Sequence, residues 1–207
     1  MLLKDEKRMA GSYEIIHAMQ IGDKEIVIGE DAAAVPGQQY MCAFCEQNDF
    51  FARYEQVLSS DDYAEIVGIF GWRVTESAEE IRRTFSELDL QGEQNLMLTA
   101  ANCTPITSDD DLNNKVVVIR PDVLRREFRK ASSQVKICDG GFGASPNSRG
   151  SACYCVNPLT GETSRFDRMD ILGILKEDQV PKWAQAGILK HQKKREKQAQ
   201  KHKTPER

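Results

Sequence analysis

The sequence lacks a long apolar run, because no stretch of its 207 residues approaches the roughly eighteen apolar residues that a membrane-spanning helix needs. The opening segment, MLLKDEKRMAG, mixes acidic and basic side chains and has no apolar core, so we expect no secretory signal. These features predict a soluble, cytoplasmic protein that has no membrane partner.

Histidine is scarce, and only His17 lies outside the C-terminal tail. His17 stands in a strand-like run between Ile16 and Ala18, where a histidine more often packs than acts as a general base. The acidic run 109–111 is typical of a solvated loop, because neighbouring carboxylates cannot all converge on one cation. No nucleophile signature surrounds any of the six cysteines. We therefore predict that the protein is not an enzyme.

Nucleotide-binding motifs are absent from the glycine-rich stretch ICDGGFGASPNSRGSACYCVNPLTGETSRF, residues 137–166. It lacks the G-x-x-x-x-G-K-[ST] pattern of a P-loop, and GFGASP breaks the dinucleotide-binding pattern G-x-G-x-x-G. Two interpretations stay open. The stretch is either an exposed loop whose backbone amides and Arg149 contact an anion or partner, or a connection between two strands whose glycines supply unusual backbone angles.

The charge is distributed unevenly along the chain. Residues 1–114 contain 8 Lys+Arg and 22 Asp+Glu, a balance of −14, whereas residues 115–207 contain 20 Lys+Arg and 10 Asp+Glu, a balance of +10. Such asymmetry indicates an anionic partner for the basic half, docking of one half on the other, or drift of surface charge.

The N-terminal half is predicted to be an acidic α+β region over 12–104, after a disordered start over 1–11. SYEIIHAMQIGDKEIVIG favours a hairpin that turns at Gly22 and Asp23. YMCAFCEQ is a third strand or the lead into a helix, and DFFARYEQVL a short helix. A stripe of apolar residues at three- and four-residue spacing predicts a long helix over about 61–88, with Ser59 and Asp62 as a capping box.

The C-terminal half changes character after a predicted linker or loop over 105–114. Short apolar runs predict five strands between 115 and 178, in KVVVIRP, QVKIC, SACYCVN, ETSRFD and DILGIL. Five such strands favour a small SH3-like or OB-like β-barrel. A basic tail that is helical or disordered follows over 179–207. The predicted fold class is therefore α+β, a small sheet with a long helix followed by a small barrel.

The cysteines suggest a zinc site through Cys42, Cys45, Cys153 and Cys155, since paired cysteines can hold tetrahedral zinc. On a strand, however, Cys153 and Cys155 share one face while Cys42 and Cys45 point to opposite faces. We therefore predict unpaired, buried thiols, no metal and no cofactor, with a zinc-stabilised structural module as an alternative.

Basic residues are concentrated where a partner could contact the C-terminal half. If 122–130 is helical, Arg125 and Arg129 share one face. The predicted contact residues are Arg125, Arg126, Arg129, Lys130, Arg149, Arg165 and Arg168, and the tail adds Lys190, Lys193, Lys194, Arg195, Lys197, Lys201 and Lys203. Such clusters bind phosphate backbones favourably because binding releases counterions. The sequence has no RNP-type aromatic motif, so we expect the binding to depend little on nucleotide sequence.

Several segments resemble a family of no assigned activity that is carried on integrative and conjugative elements of gut Firmicutes. The resemblance lies in YEIIHAMQIGDKEIVIG, in GGFGASPNSRGSA with TGETSRFDR, and in a basic tail after VPKWAQ. It implies a bacterial cytoplasm and a mobile genetic element as the setting. Accessory proteins in that setting handle transfer DNA, regulate the element or blunt host defence.

The sequence thus predicts a non-enzymatic accessory protein of a mobile element whose basic half binds DNA, RNA or a nucleoprotein. The alternative is an interaction inhibitor of a host defence system. In that case the partner is a host or mobile-element protein, and the acidic surface that includes Glu76, Glu79, Glu80 and Glu87 imitates a phosphate backbone.

Overall fold

The protein is described by a computed structural model over residues 7–47, 51–87 and 95–203. The chain divides into two compact units, Met1–Glu87 and Leu88–Arg207, each with its own sheet. The mixed α and β content that the sequence predicts is confirmed. The division falls before the predicted boundary at 104/105, so residues 95–104 belong to the second unit.

The first unit contains a five-stranded antiparallel sheet in which neighbours along the chain are neighbours in space. Its strands are β1 (Met9–Ala10), β2 (Tyr13–Ile21), β3 (Lys24–Glu30), β4 (Tyr40–Gln47) and β5 (Ala52–Ser60). The predicted hairpin is confirmed as β2–β3, where Gly22 supplies a φ of 58° in the two-residue turn. The predicted disorder is wrong for Met9–Ala10, which pair with β2; residues 1–6 lie outside the described residues.

The strand β5 replaces the short helix predicted over 49–58, whose residues 49 and 50 lie outside the described residues. The strand β5 pairs with β4 along most of its length, and this ladder satisfies the backbone N–H and C=O groups that a helix would pair internally. Pairing with a distant strand therefore overrides the local helix propensity. A β-bulge interrupts the ladder between Cys42 and Phe44 of β4. Within β5, Gln56 adopts a φ of 51° at this bulge.

The long helix α1 (Tyr63–Glu87) confirms the predicted helix, although it begins two residues later than predicted and the predicted last residue, Leu88, lies outside the described residues. Asp62 caps it: its Oδ1 accepts hydrogen bonds from the backbone N–H groups of Ala64 (2.8 Å) and Glu65 (3.4 Å). The predicted capping box is therefore replaced by a cap on Asp62 alone. One face of α1 buries Ile66 against the sheet.

The two central strands of the first sheet, β3 and β4, are buried on both faces. Ile26, Ile28 and Cys42 pack against α1. On the other face, Cys45 belongs to a separate cluster that also contains Ala10, Val27, Met41 and Ala43. Burial on both faces explains why β3 and β4 consist of almost continuous apolar runs.

The second unit contains a six-stranded antiparallel sheet in the order β10-β9-β8-β7-β11-β6. Its strands are β6 (Cys103–Thr104), β7 (Val116–Ile119), β8 (Val135–Gly140), β9 (Ala152–Val156), β10 (Thr163–Asp167) and β11 (Ile171–Leu175). The five strands predicted from the apolar runs correspond to β7–β11. The short strand β6 adds to the edge of β11.

The segment 105–114 is a folded loop of the second unit and does not link the two units. Leu112 is fully buried in the core beside Val117 and Cys138, and its backbone N–H donates to the carbonyl oxygen of Ala144 at 2.8 Å. Of the two predicted alternatives, a linker or a loop, the structure has the loop, because one buried apolar residue anchors an otherwise polar run.

The segment between β7 and β8 is not one helix. Two 3₁₀ turns, Pro121–Val123 and Arg126–Phe128, are followed by the short helix α2 (Ala131–Gln134). The interpretation that placed Arg125 and Arg129 on one helical face is therefore corrected. The side chain of Gln134 is fully buried and holds the segment in place, because its amide donates to the carbonyl oxygens of Leu98 and Ile119, both at 3.1 Å.

The basic C-terminal segment forms the helix α3 (Lys182–Lys203), the helical one of the two predicted states. Its first turns belong to the core, where Ala184 is fully buried beside Trp183 and Ile188. Gly187 permits this packing, because a Cβ atom there would stand 1.8 Å from the carbonyl oxygen of Pro158. Within the described parts of the chain, α3 and the other helices are too short or too polar to span a bilayer.

Candidate functional site

The glycine-rich connection between β8 and β9 is shaped by its glycines. Gly140 and Gly141 adopt φ angles of 140° and 106°, a region that L side chains rarely occupy. A Cβ atom at Gly143 would stand 2.0 Å from the carbonyl oxygen of Ser151. The connection therefore lies directly on the segment that leads into β9, as the strand-connection interpretation requires.

Arg168 holds this connection to the loop over 105–114. Its Nη1 donates to the carbonyl oxygen of Gly143 at 2.6 Å, and its Nη2 donates to those of Thr107 (2.6 Å) and Asp110 (2.8 Å). A guanidinium with three carbonyl partners is fixed in place. Its side chain thus joins two loops of its own unit, and the expected contact of Arg168 with a partner stays a prediction.

Two aromatic side chains project into solvent at this end of the sheet. Phe142 is 79% exposed and Tyr154 is 50% exposed. Cys153 and Cys155, which flank Tyr154 on β9, are fully buried, as expected from strand alternation. A Cβ atom at Gly141 would lie 3.2 Å from the Tyr154 ring, so Tyr154 lies beside the residue that precedes Phe142.

Two of the predicted contact arginines, Arg149 and Arg165, lie near these rings. Arg165 stands directly opposite Tyr154 in the β9–β10 register. Arg149 precedes Gly150, where a Cβ atom would lie 2.6 Å from the Cβ atom of Phe142. Both guanidinium groups belong to exposed residues. We define the aromatic–basic face as Phe142, Arg149, Tyr154 and Arg165.

The two arginines differ in their partners. Arg165 forms an exposed ion pair with Asp167, with 3.1 Å between Nη2 and Oδ1, and such a pair holds its side chain only weakly. Among the side chains that the structure describes, no carboxylate pairs with Arg149. The charge of Arg149 is thus available to a partner.

The remaining predicted contact residues lie elsewhere. They are Arg125, Arg126, Arg129 and Lys130, in the segment that enters β8, whereas the aromatic–basic face lies where β8 ends. A six-residue strand separates its ends by about 17 Å. Arg129 is also engaged within the unit, because its Nε donates to the carbonyl oxygen of Leu124 at 3.0 Å.

The basic helix α3 is fixed at the end of β8 that carries the aromatic rings. Asp139, immediately before Gly140, accepts a hydrogen bond from Nη1 of Arg195 on its Oδ1 (2.7 Å), and its Oδ1 lies 3.2 Å from Nε2 of His191. The exposed lysines of this part of α3 are Lys190, Lys193, Lys194 and Lys197. Positive charge on α3 therefore extends toward the aromatic–basic face.

The four cysteines considered for zinc do not form two converging pairs. Cys42 and Cys45 on β4 belong to the clusters on opposite faces of the first sheet. Cys153 and Cys155 share a core with Cys138, and hydrogen bonds from their two thiols lower the pKa of Cys138. In the described ranges 7–47, 51–87 and 95–203, no group of three or more His, Cys, Asp or Glu residues is arranged to hold a metal ion.

Phe142 was not predicted to be a functional residue, and for Tyr154 only its alternation with Cys153 and Cys155 on β9 was considered. The alternation through Cys153 and Cys155 does indicate that Tyr154 faces outward. Nothing in the sequence indicates the exposure of Phe142, which depends on the path of the glycine turn.

Comparison with known proteins returns no relative. No family model, no curated protein and no solved structure matches the chain.

Proposed function

We propose that the second unit binds nucleic acid without catalysing a reaction, through the aromatic–basic face. The observation that carries the proposal is the exposure of Phe142 and Tyr154 beside Arg149 and Arg165. Aromatic rings next to cations suit unpaired bases, since every base has a face that stacks on a ring and a phosphate that pairs with arginine. Binding of this kind depends little on base identity.

The helix α3 supports the same partner. Its exposed lysines Lys190, Lys193, Lys194 and Lys197 lie on the helix that Arg195 and His191 anchor to Asp139, next to the glycine turn that carries Phe142. Each lysine that neutralises a phosphate releases counterions, so the expected affinity falls steeply with salt.

The fold of the second unit is proposed to be an SH3-like barrel. The order β11-β7-β8-β9-β10, with the 3₁₀ turn Arg168–Asp170 joining β10 to β11, is the arrangement that SH3-like barrels have. This order favours the SH3-like over the OB-like alternative. A cytoplasmic accessory protein of a mobile element, the setting that the family resemblance implies, would meet both duplex and single-stranded DNA.

Fluorescence anisotropy with a labelled oligonucleotide tests the proposal. Binding should be measurable at about 50 mM salt and fall by orders of magnitude at about 200 mM. The double variant Phe142→Ala/Tyr154→Ala should bind at least about tenfold more weakly, as expected for the loss of base stacking. Trp72→Ala, which removes an exposed aromatic ring from the first unit, is the matched control and should bind like the original chain.

The acidic first unit provides the rival hypothesis of a phosphate mimic. Glu76 and Glu79 are exposed on α1, and Glu80 lies 3.9 Å from Lys24 in an exposed pair. The two hypotheses make opposite demands. Glu79→Lys/Glu80→Lys should leave DNA binding intact and Arg149→Glu/Arg165→Glu should abolish it. The reverse outcome, or the absence of binding at low salt, contradicts nucleic-acid binding by the second unit.

A further inference from the structure

A cavity of about 510 Å³ opens next to the aromatic–basic face. It is an open depression lined by three short segments: 106–108 from the folded loop, 148–151 from the glycine-rich connection, and Arg168, Met169 and Ile171 before and at the start of β11. Its volume lies within the range of roughly 300–1,000 Å³ that small-molecule sites have. The cavity lies wholly within the second unit.

The walls combine an apolar part with hydroxyl groups. Ile106, Met169 and Ile171 supply the apolar part, and Met169 is 73% exposed at the opening while Ile171 is buried. A methionine thioether contacts aromatic rings favourably and adapts to their shape. Ser148 Oγ accepts a hydrogen bond from the backbone N–H of Gly150 at 3.2 Å, so its O–H remains able to donate.

The charges around the cavity are arranged on two sides. Arg149 lines one side and is exposed. The other side continues into the acidic loop, where hydrogen bonds from Thr107 lower the pKa of Asp110 and hydrogen bonds from Asn113 lower that of Asp111. These carboxylates remain ionised at neutral pH. Arg168 also lines the cavity, but its guanidinium is held by three carbonyl oxygens of its own unit. The cavity therefore suits a ligand with one anionic group at Arg149 and an uncharged remainder.

The cavity opens where the aromatic–basic face begins. Gly150 lines the cavity and also lies against Phe142. When one base of a nucleic-acid strand stacks on Phe142, the next nucleotide of that nucleic acid therefore lies at the mouth of the cavity. Because a base leaves a duplex only at the cost of unpairing and unstacking, an unpaired nucleotide enters more readily.

We infer that this cavity is a subsite for one unpaired nucleotide of the bound strand, with its phosphate at Arg149 and its base on Ile106, Met169 and Ile171. The inference rests on the proposed function. It adds a position for one unpaired nucleotide beyond those that stack on Phe142 and Tyr154.

The test compares a labelled oligo-dT strand with a blunt duplex of the same length, for the full chain and for variants that fill the cavity from opposite walls. Ser108→Trp and Ser148→Trp both replace exposed lining residues. Ser86→Trp, at an exposed serine of the first unit, is the matched control. Melting curves establish which variants are folded, and two independent variants guard against the failure of one.

We expect the filled variants to bind the single strand about tenfold more weakly than the full chain and the control do, with their affinity for the duplex unchanged. Thymidine monophosphate should displace the single strand, whereas inorganic phosphate should not. An unchanged affinity for the single strand in a folded filled variant, an equal loss of single-strand and duplex binding, or displacement by an acidic peptide but not by thymidine monophosphate would each overturn the inference. Absence of binding to either oligonucleotide would overturn the proposed function as well.

Discussion

Each of the two units contains an arginine that donates to backbone carbonyl oxygens, but the two arginines work in different surroundings. In the first unit, Arg73 of α1 is 3% exposed, and its Nη1 and Nη2 donate to the carbonyl oxygens of Cys42 (3.0 Å) and Gln56 (2.6 Å). The guanidinium carbon also lies 4.8 Å from the centre of the Phe44 ring. In the second unit, Arg168 is half-buried and joins loops that are open to water.

In the first unit, the bulge between β4 and β5 depends on the helix α1 for hydrogen-bond donors. The bulge in β4–β5 releases carbonyl groups from the ladder, and a buried carbonyl without a partner is costly. Arg73 supplies the missing donors from the face of α1 that covers the sheet. Arg168 supplies donors to carbonyls that water could also reach. The buried arginine should therefore contribute more to stability than the half-buried one.

Replacing Arg73 should have the largest effect. Arg73→Leu leaves the buried carbonyl of Cys42 and the part-buried carbonyl of Gln56 without the guanidinium donors, which should lower the free energy of unfolding of the first unit by about 3 kcal/mol. Urea unfolding followed by the fluorescence of Trp72, in a Trp183→Phe background, reports on this unit. Arg82→Leu, at an exposed position on the same helix, should change stability by less than about 0.5 kcal/mol. Equal effects of the two substitutions would remove the distinction.

Glycine-to-alanine substitutions in the two long helices should have opposite signs. A methyl group at Gly187 of α3 would collide with the carbonyl oxygen of Pro158, whereas nothing lies within 4 Å of a Cβ atom at Gly68 of α1. Gly187→Ala should destabilise the second unit by about 2 kcal/mol through overpacking. Gly68→Ala should stabilise the first unit by about 1 kcal/mol through helix propensity.

The two glycine variants are checked by the midpoints of urea unfolding, with Trp183 as the reporter of the second unit. Because α3 carries the exposed lysines, Gly187→Ala should also weaken the salt-dependent binding to DNA. Stabilisation by both substitutions would contradict the close approach of α3 to the turn that contains Pro158.

Removal of Arg168 should have a smaller effect than removal of Arg73. Arg168→Leu should cost about 1 kcal/mol, since water can replace the guanidinium at the carbonyls of Thr107 and Asp110. Hydrogen exchange should show faster exchange in 105–114 and 141–151, with β7 and β11 unchanged. A loss as large as that of Arg73→Leu would show that the two arginines are equivalent.

The smallest expected effect is the loss of folding stability at acidic pH. Backbone hydrogen bonds from Gly37 and Gln39 lower the pKa of Asp61 in the first unit, and those from Thr107 lower that of Asp110 in the second. A carboxyl whose folded pKa lies below its unfolded value of about 3.9 contributes stability above that value, and the contribution is lost as the pH falls through the folded pKa.

The acid dependence can be assigned with single substitutions. Asp61→Asn should reduce the acid-side loss of stability of the first unit alone, and Asp110→Asn that of the second alone. Urea unfolding at neutral pH and near pH 3 checks this, with the tryptophan of each unit as the reporter. A loss of stability with acid that is the same in variant and original chain would contradict the assignment.

Much of the fold follows from local sequence, whereas the site depends on distant contacts. Apolar runs bounded by turn residues identified β7–β11, and three- and four-residue spacing identified α1. The strand β5 was missed because its partner β4 and the donor Arg73 are remote in sequence. The role of Arg168 was missed because its carbonyl partners at Thr107 and Asp110 lie 61 and 58 residues away. The charge of an arginine is evident from the sequence, but the groups to which its guanidinium donates hydrogen bonds are not.

The strands at the ends of the two sheets bear on how the protein behaves at high concentration. An unpaired strand edge is a template for edge-to-edge aggregation, which charged side chains and bulges oppose. The end strand β5 has the bulge at Gln56 and an exposed pair of Arg53 with Glu55, and the end strand β10 has the pair of Arg165 with Asp167. A neighbouring chain that tried to extend either sheet would have to desolvate these charges. The same Arg165 that faces a nucleic acid in our proposal thus also discourages the chain from joining copies of itself into fibrils.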